Sequence, residues 1–201
     1  MITVTSATQS DHDMLLRLLF ERAFRYSPEP TFRLASGALS RYYLNGKLVT
    51  LDPKGATLIG RLVFERLRGL GVHAVGGLTL GADPIAIATA IASEAAGEPI
   101  AAFVVRKEPK GHGTAQQIEG PLPPGVPVAV VDDVVTTGGS TEKALDVLDQ
   151  LGHPVLKVVA LVDRNEGGRE AITRRGVPFE SLFQITDFLA LWNAEPSRTV
   201  L

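Results

Sequence analysis

The sequence contains no cysteine, no long uncharged apolar run and no excess of charge of one sign. The absence of cysteine excludes disulfides and thiolate metal sites and is consistent with a cytoplasmic protein. The net charge of −2 shows no excess of positive charge of the kind that binds nucleic acid. The N-terminus lacks the basic segment and apolar core of a signal peptide, and charges, Gly or Pro interrupt the longest apolar stretches. We therefore expect a cytoplasmic protein that binds neither nucleic acid nor a membrane.

What is present is an alternation of apolar strand and helix patterns. With 201 residues and 45% apolar side chains, the chain can form a single α/β domain with a real core. Strands are predicted at residues 72–75, 100–105, 126–132, 155–162 and 179–183, with a helix at 83–96 among those between them. This alternation indicates a central parallel sheet flanked by helices. The sheet and its helices are expected to form a core of about residues 53–190.

Residues 1–52 are predicted to form a smaller unit, here called the hood, which contains a helix and a hairpin. Ser10 is a candidate cap for the helix, and Ser36-Gly37 and Asn45-Gly46 are two turn signals that suggest short antiparallel strands. At the boundary with the core, Asp52 is suited to the N-cap of the next helix and Pro53 to its first position.

The most informative run is an apolar strand that ends in Asp132-Asp133 and is followed by a turn rich in hydroxyls and glycine. The turn, Thr136 to Ser140, can offer backbone N–H groups and three hydroxyls to one small anion, and the following helix points the positive end of its dipole there. Ordinary loop chemistry is the alternative reading. Two carboxylates beside a phosphate cradle favour a ligand with both hydroxyls and a phosphate, such as a ribose 5-phosphate.

Three further segments carry candidate chemistry. A long aperiodic stretch at residues 106–125 opens with four potentially cationic side chains, namely Arg106, Lys107, Lys110 and His112. Taken alone such a run is more often a solvated charged segment, but this one leaves the strand edge where doubly wound sheets bind ligands. A glycine-rich run at 76–84 is either a tight turn or an anion-binding loop. The pair Asp163-Arg164 ends a predicted strand, and a guanidinium there can bind a carboxylate bidentately or form a surface ion pair.

These segments resemble known ones. The Asp-Asp run resembles the signature of the type I phosphoribosyltransferases for 5-phosphoribosyl 1-diphosphate (PRPP), and the basic loop resembles the catalytic loop of the orotate phosphoribosyltransferases. The resemblance implies that the two acids hold the ribose hydroxyls and that the turn holds the 5-phosphate. The implied PRPP-binding residues are Arg106, Lys107, Lys110, His112, Asp132, Asp133, Val134, Val135, Thr136, Thr137, Gly138, Gly139 and Ser140. Lys107, Lys110, His112 and the two acids are the implied catalytic set.

The resemblance also implies an acceptor site. The hairpin at residues 32–45 is similar to the one that packs on the pyrimidine in that family, with contacts implied for Tyr43 and Leu44. Arg164 is the implied partner of the orotate carboxylate, and a contact with the base is implied for Thr136. Two departures stand out: Ala35 replaces a lysine that contacts PRPP in some relatives, and Leu80-Gly81 replaces a Tyr-Lys pair in the implied pyrophosphate loop.

The expected reaction is therefore orotate plus PRPP to orotidine 5-monophosphate plus diphosphate, in UMP biosynthesis. The resemblance implies Mg²⁺ carried by PRPP near Asp132 and Asp133, and a homodimer that shares the loop at residues 106–112, with Lys110 and His112 reaching the neighbouring site. Two alternatives remain from the sequence. One is a phosphoribosyltransferase for another base, and the other is a non-catalytic PRPP sensor.

Overall fold

A computed structural model describes residues 6–33, 37, 39–108 and 117–195 of the chain. The hood begins with helix α1 (Ser6–Arg22) and strand β1 (Phe24–Tyr26). It continues with β2 (Phe32–Arg33), β3 (Leu39–Ser40), β4 (Tyr42–Leu44) and the short helix α2 (Lys47–Thr50). Two small antiparallel pairs form, β1 with β4 and β2 with β3.

The core alternates helices and strands along the chain. Its elements are α3 (Pro53–Leu67), β5 (Ala74–Leu78), α4 (Asp83–Ala95), β6 (Ala101–Val105), β7 (Ile118–Glu119), β8 (Val128–Val135), α5 (Gly139–Gln150), β9 (Val155–Asp163), α6 (Gly168–Arg174), β10 (Phe179–Gln184) and α7 (Ile185–Ala194). The six-stranded sheet has the order β10-β9-β8-β5-β6-β7. All its pairings are parallel except β6 with β7. The predicted α/β architecture is confirmed, with one antiparallel edge strand added.

Strand β8 lies in the middle of the sheet, and its side chains alternate between two apolar clusters. Ala129 and Val131 pack in a cluster with residues of α1, α3 and α7, whereas Val128 and Val130 pack in a second cluster with residues of α5. Burial on both faces is why this strand reads as a continuous apolar run rather than as an alternating one. The strand thereby holds the acids at its carboxyl end against a rigid support.

The start of α3 follows the sequence prediction. The Asp52 side chain accepts hydrogen bonds from the backbone N–H groups of Lys54 and Gly55, both at 3.0 Å, and Pro53 occupies the first turn. The side-chain oxygen satisfies N–H groups that have no partner inside the helix, and these two bonds lower the pKa of the Asp52 carboxyl together with the neighbouring Arg22 guanidinium.

Two predictions for the hood were wrong. Helix α1 begins at Ser6, so Ser10 lies inside it and cannot cap it. The expected short antiparallel strands do form, but Asn45-Gly46 does not join two of them and leads instead into α2, whose first residue is Lys47. The partner of β4 is instead β1, which the sequence analysis did not find because it is only three residues long.

The strand predicted at 72–75 was placed too early, since β5 spans Ala74–Leu78 and includes Gly76 and Gly77. A Cβ at Gly76 would lie 2.2 Å from the carbonyl oxygen of Phe103, and one at Gly77 would lie 2.3 Å from that of Val131. These two glycines therefore allow close packing inside the sheet rather than the approach of an anion. Among the described residues, no helix is both long and apolar enough to cross a membrane.

Candidate active site

The carboxyl ends of β5, β8 and β9 meet at one edge of the sheet, where ligands bind in open α/β folds. Strand β8 brings Asp132 and Asp133 to this edge, and the loop after β5 passes beside them. A Cβ at Gly81 would lie 2.6 Å from an Asp133 carboxylate oxygen and 3.4 Å from an Asp132 carboxylate oxygen. The backbone of this loop therefore lies beside both acids, and a side chain at Gly81 would displace the Asp133 carboxylate.

Asp132 is buried and is held by donors from the core. One carboxylate oxygen accepts the Asp133 backbone N–H at 3.0 Å, and the other accepts the Thr141 hydroxyl of α5 at 2.9 Å. Burial, and secondarily the neighbouring Asp133 charge, raise the pKa of the Asp132 carboxyl to about 7. Near neutral pH this group can therefore both accept and donate a hydrogen bond.

Asp133 is held differently, because one of its donors comes from the hood. Its Oδ1 accepts the Val134 backbone N–H at 3.0 Å, and its Oδ2 accepts Lys47 Nζ at 3.1 Å. The sequence analysis did not identify Lys47, since no local signal links it to an acid 86 positions away. The only hint was its place directly after the Asn45-Gly46 turn in the hood.

The turn between β8 and α5 has the geometry of an anion site. Gly138 has φ +92°, in the left-handed region that glycine favours, and α5 begins at the next residue. The first N–H groups of a helix lack partners within it, and here they lie at the same edge of the sheet as the acids. The Thr136 carbonyl accepts the Gly168 N–H at 2.9 Å, which ties the turn to the start of α6.

Arg164 follows β9 and is buried to 5% exposure at the junction of core and hood. Its Nη2 contacts Glu166 Oε1 at 2.8 Å and Ser40 Oγ at 3.4 Å, and its guanidinium carbon lies 4.7 Å from the centre of the Tyr42 ring. Within the described part of the chain, Arg164 Nε is buried and has no hydrogen-bond partner. A buried donor left free in this way is suited to an anionic or carbonyl ligand.

The two hood residues that the sequence analysis selected, Tyr43 and Leu44, lie in different environments and neither contacts Arg164 in the described contacts. Leu44 is buried in the core cluster, and Tyr43 is 42% exposed and stacks on Phe32. The hood side chains that contact Arg164 are instead Ser40 and Tyr42, which the sequence analysis did not select. Alternation along a strand explains this, because neighbours such as Tyr42 and Tyr43 point to opposite faces.

Only part of the basic loop is described. Arg106 leaves β6 with its guanidinium 3.4 Å from Glu119 of β7, and its backbone N–H donates to the Gln117 carbonyl at 2.8 Å. Lys107 is exposed next to it. The predicted residues Lys110 and His112 lie outside the described residues, as does Ala35 of the hood.

In the loop after β5, a hydrogen bond of 2.7 Å from the Thr79 hydroxyl to Asp83 closes the turn into α4, and Leu80 is 60% exposed. Across the described ranges, no group of three or more His, Asp or Glu side chains is arranged to hold a metal ion.

Comparison with known proteins agrees with this geometry. Residues 70–179 match the model of the phosphoribosyl transferase domain family. The orotate phosphoribosyltransferase of Aquifex aeolicus is 50% identical over 179 residues, which cover 89% of this chain and 98% of that protein. The corresponding protein of Thermosynechococcus vestitus is also 50% identical, over 89% of this chain and 93% of its own length.

Solved structures of orotate phosphoribosyltransferases are also similar to this chain. Orotate phosphoribosyltransferase from Mycobacterium tuberculosis, solved with Fe(III) dicitrate, superposes with a TM-score of 0.78 and 38% identity, covering 89% of this chain and 98% of that chain. The structure of the same enzyme in complex with PRPP gives a TM-score of 0.74 and 35% identity, with the same coverage of both chains.

Proposed function

The chain belongs to the orotate phosphoribosyltransferases, and we propose that it transfers the phosphoribosyl group of PRPP to orotate, forming orotidine 5-monophosphate and diphosphate in UMP biosynthesis. The observation that carries this proposal is the meeting of three features at one sheet edge. They are the acid pair Asp132-Asp133, the glycine turn that begins α5, and the buried Arg164 with its unpartnered Nε. The first two suit a phosphorylated ribose, and the third suits an acidic ring.

On this proposal the donor lies across the end of β8. Asp132 and Asp133 accept hydrogen bonds from the ribose hydroxyls, and the segment from Val134 to Ser140 holds the 5-phosphate. The backbone N–H groups at the start of α5 and the positive end of its dipole supply the attraction. The strand and the internal hydrogen bonds to Thr141 and Val134 hold these groups in place before the ligand arrives. A preorganised site of this kind loses little ordering entropy on binding.

The leaving diphosphate carries the charge that must be stabilised as the bond to the anomeric carbon breaks. Arg106 and Lys107 extend from the carboxyl end of β6, at the edge that also holds the acids. With Lys110 and His112 they form the proposed cationic lid over the diphosphate. Loss of one preorganised donor of this type costs on the order of 10²–10³ in rate. No protein nucleophile is required, because a ring nitrogen of orotate attacks.

Mg²⁺ is the proposed cofactor, carried by the oxygens of PRPP near Asp132 and Asp133. Both oxygens of each acid already accept a hydrogen bond from the protein, and no three-ligand cluster exists among the described residues. This donor set fits a cation that is bound mainly through substrate phosphates, as is common for Mg²⁺. When bound, the ion would neutralise charge on the departing diphosphate.

Orotate is proposed to bind between the hood and Arg164. The free Nε can donate to the orotate carboxylate, while Glu166 and Ser40 hold the guanidinium in place through Nη2. The Tyr42 ring packed on Arg164 limits its rotation. Tyr43, Leu44 and Thr136 complete the proposed acceptor site.

The direct test supplies isotope-labelled orotate, adenine or uracil together with PRPP and Mg²⁺ to the purified chain. We expect diphosphate release and labelled nucleotide from orotate alone. Product from adenine or uracil instead would assign the site to another base. Binding to nucleic acid without diphosphate release would point to a PRPP sensor and contradict the enzyme assignment.

A variant pair tests the acceptor site. Arg164→Ala should raise the KM for orotate about 10-fold to 100-fold, the range for a hydrogen bond to a charged group, and leave the KM for PRPP nearly unchanged. Arg175→Ala is the matched control, because its guanidinium pairs with Asp146 and Asp149 on α5, away from the acids. Equal effects of both variants would remove Arg164 from the acceptor site.

We also propose a cytoplasmic homodimer in which the loop at residues 106–112 is shared between subunits. Exposed Ile87 and Ile91 form an apolar stripe on α4, directly after the loop that contacts the acids. Mixing inactive Asp133→Asn and Lys110→Ala subunits tests the sharing. If the loop crosses, random reassortment of a symmetric dimer restores about a quarter of wild-type activity. No recovery after proven exchange would place the loop over its own subunit's site.

A further inference from the structure

The contact between Lys47 and Asp133 joins the hood to the core at the acid pair. Lys47 is the first residue of α2, and its Nζ lies 3.1 Å from Asp133 Oδ2. The preceding Gly46 lies close to this acid, since a Cβ at Gly46 would lie 3.3 Å from the Asp133 Cβ. The start of α2 therefore packs tightly beside the carboxylate that Lys47 contacts.

The two acids depend on different parts of the molecule for their orientation. Both donors to Asp132 belong to the core, namely the Asp133 backbone N–H and the Thr141 hydroxyl. Asp133 receives one core donor, the Val134 N–H, and in the described part of the chain its side-chain donor is Lys47. Terminal carboxylate torsions are broad, so a single backbone hydrogen bond leaves the Asp133 carboxylate free to rotate.

Charge adds to this geometric role. Two adjacent carboxylates repel each other, and the carbon skeleton of the strand holds them beside the Gly81 backbone. An ammonium group in contact with one of them offsets this repulsion. Lys47 is also suited to the role by exposure, because its side chain is 42% exposed while that of Asp133 is 13% exposed. The cation thus lies at the mouth of the site and the carboxylate inside it.

We propose that Lys47 is a positioning residue for the donor site, acting through Asp133 to hold its carboxylate in the orientation that accepts a ribose hydroxyl. This inference rests on the proposed function, since it assumes that Asp133 binds the ribose of PRPP. Lys47 contacts neither acceptor ring nor leaving group in this role. Its loss therefore weakens donor binding and leaves the chemical step nearly unchanged.

The test compares Lys47→Met, Lys47→Arg and the control Lys54→Met, which removes an exposed lysine in the first turn of α3. Lys47→Met should raise the KM for PRPP about fivefold, the upper end for a partly exposed ion pair, with less than about a twofold change in kcat and in the KM for orotate. Lys47→Arg should restore the KM for PRPP, because the charge is kept. Lys54→Met should match wild type.

A binding measurement supplies an independent readout without turnover. Calorimetric titration of PRPP with Mg²⁺ should show the weakening by Lys47→Met in the wild-type background. In an Asp133→Asn background, which removes the charge that Lys47 contacts, the same substitution should have little further effect. An undiminished effect in that background would show that Lys47 acts on the donor directly, and would overturn the positioning role.

Other results also overturn the inference. An unchanged KM for PRPP in Lys47→Met would do so, and so would a change confined to the KM for orotate. A loss of activity that tracks a lower melting temperature and is not restored by Lys47→Arg would indicate a purely structural role. Wild-type turnover of orotate is measured in parallel. If wild type converts orotate but Lys47→Met leaves the KM for PRPP unchanged, the inference fails while the proposed function stands.

Discussion

Replacing Asp132 by Asn should stabilise the ligand-free protein at alkaline pH. The pKa of this buried carboxyl is raised from its usual 3.8 to about 7, chiefly by burial and then by the Asp133 charge. For a carboxyl with a raised pKa, ionisation in the folded state is disfavoured. The contribution of the neutral carboxyl to the free energy of unfolding is fully present below pH 3.8 and is lost as pH rises through about 7. Asn stays neutral and avoids this loss.

The difference between the two pKa values corresponds to about 4 kcal/mol at most, since one pKa step is worth about 1.4 kcal/mol. We expect about half of this to be realised, because Asn must make its own hydrogen bonds to Thr141 and the Asp133 backbone. For a chain of this length, about 2 kcal/mol raises the melting temperature by about 4–8 °C. The same variant should lose PRPP affinity, so that stability is gained where function is lost.

The assay is thermal unfolding of wild type and Asp132→Asn without ligand at pH 5 and pH 8. The stabilisation should be larger at pH 8. Asp163→Asn is the matched control, because Asp163 ends the adjacent strand and is also buried but accepts hydrogen bonds from Arg169 and the Asn165 N–H. The control should be destabilised at both pH values. The reasoning is refuted if Asp132→Asn melts below wild type at pH 8, or if its effect is independent of pH.

Three further predictions concern stability. Gly77→Ala should destabilise by about 1–3 kcal/mol, since its Cβ would lie 2.3 Å from the Val131 carbonyl oxygen, and a lower urea midpoint measures this. Phe188→Ala should cost about 3–5 kcal/mol by the same assay, because the ring is fully buried against Phe24 and Phe183; a loss under about 1 kcal/mol would contradict its core role. Arg175→Ala should cost less than about 1 kcal/mol, and the loss should shrink in high salt, since its two ion pairs are with exposed acids.

The features that the sequence predicted correctly are those with local causes. Asp52 and Pro53 start α3 because a capping carboxylate and a fixed φ act within one turn of the chain. Strand β8 was recognisable because burial on both faces demands an uninterrupted apolar run. Both acids lie near the end of that strand and the glycine turn follows it directly, so their meeting at one edge of the sheet required no knowledge of distant contacts.

The features that were missed depend on contacts between distant residues. Gly76 and Gly77 resemble a turn locally, but the neighbouring strands approach so closely that only glycine fits within β5. The roles of Ser40 and Tyr42 depend on which face of the hood meets Arg164. Strand β7 has only two residues and exists because it pairs with β6. Local propensity carries none of this information, and tertiary contacts override it.

The separate support of the two acids has a consequence for how the site responds to change. Asp132 is fixed by Thr141 of α5, so it keeps its orientation whenever the core is intact. Asp133 also receives a hydrogen bond from Lys47, so its orientation depends on the position of the hood as well. The hood also supplies Ser40 and Tyr42 to Arg164. A displacement of the hood would therefore alter Asp133 and Arg164 together, which links the proposed donor and acceptor sites through one structural unit and leaves Asp132 unaffected.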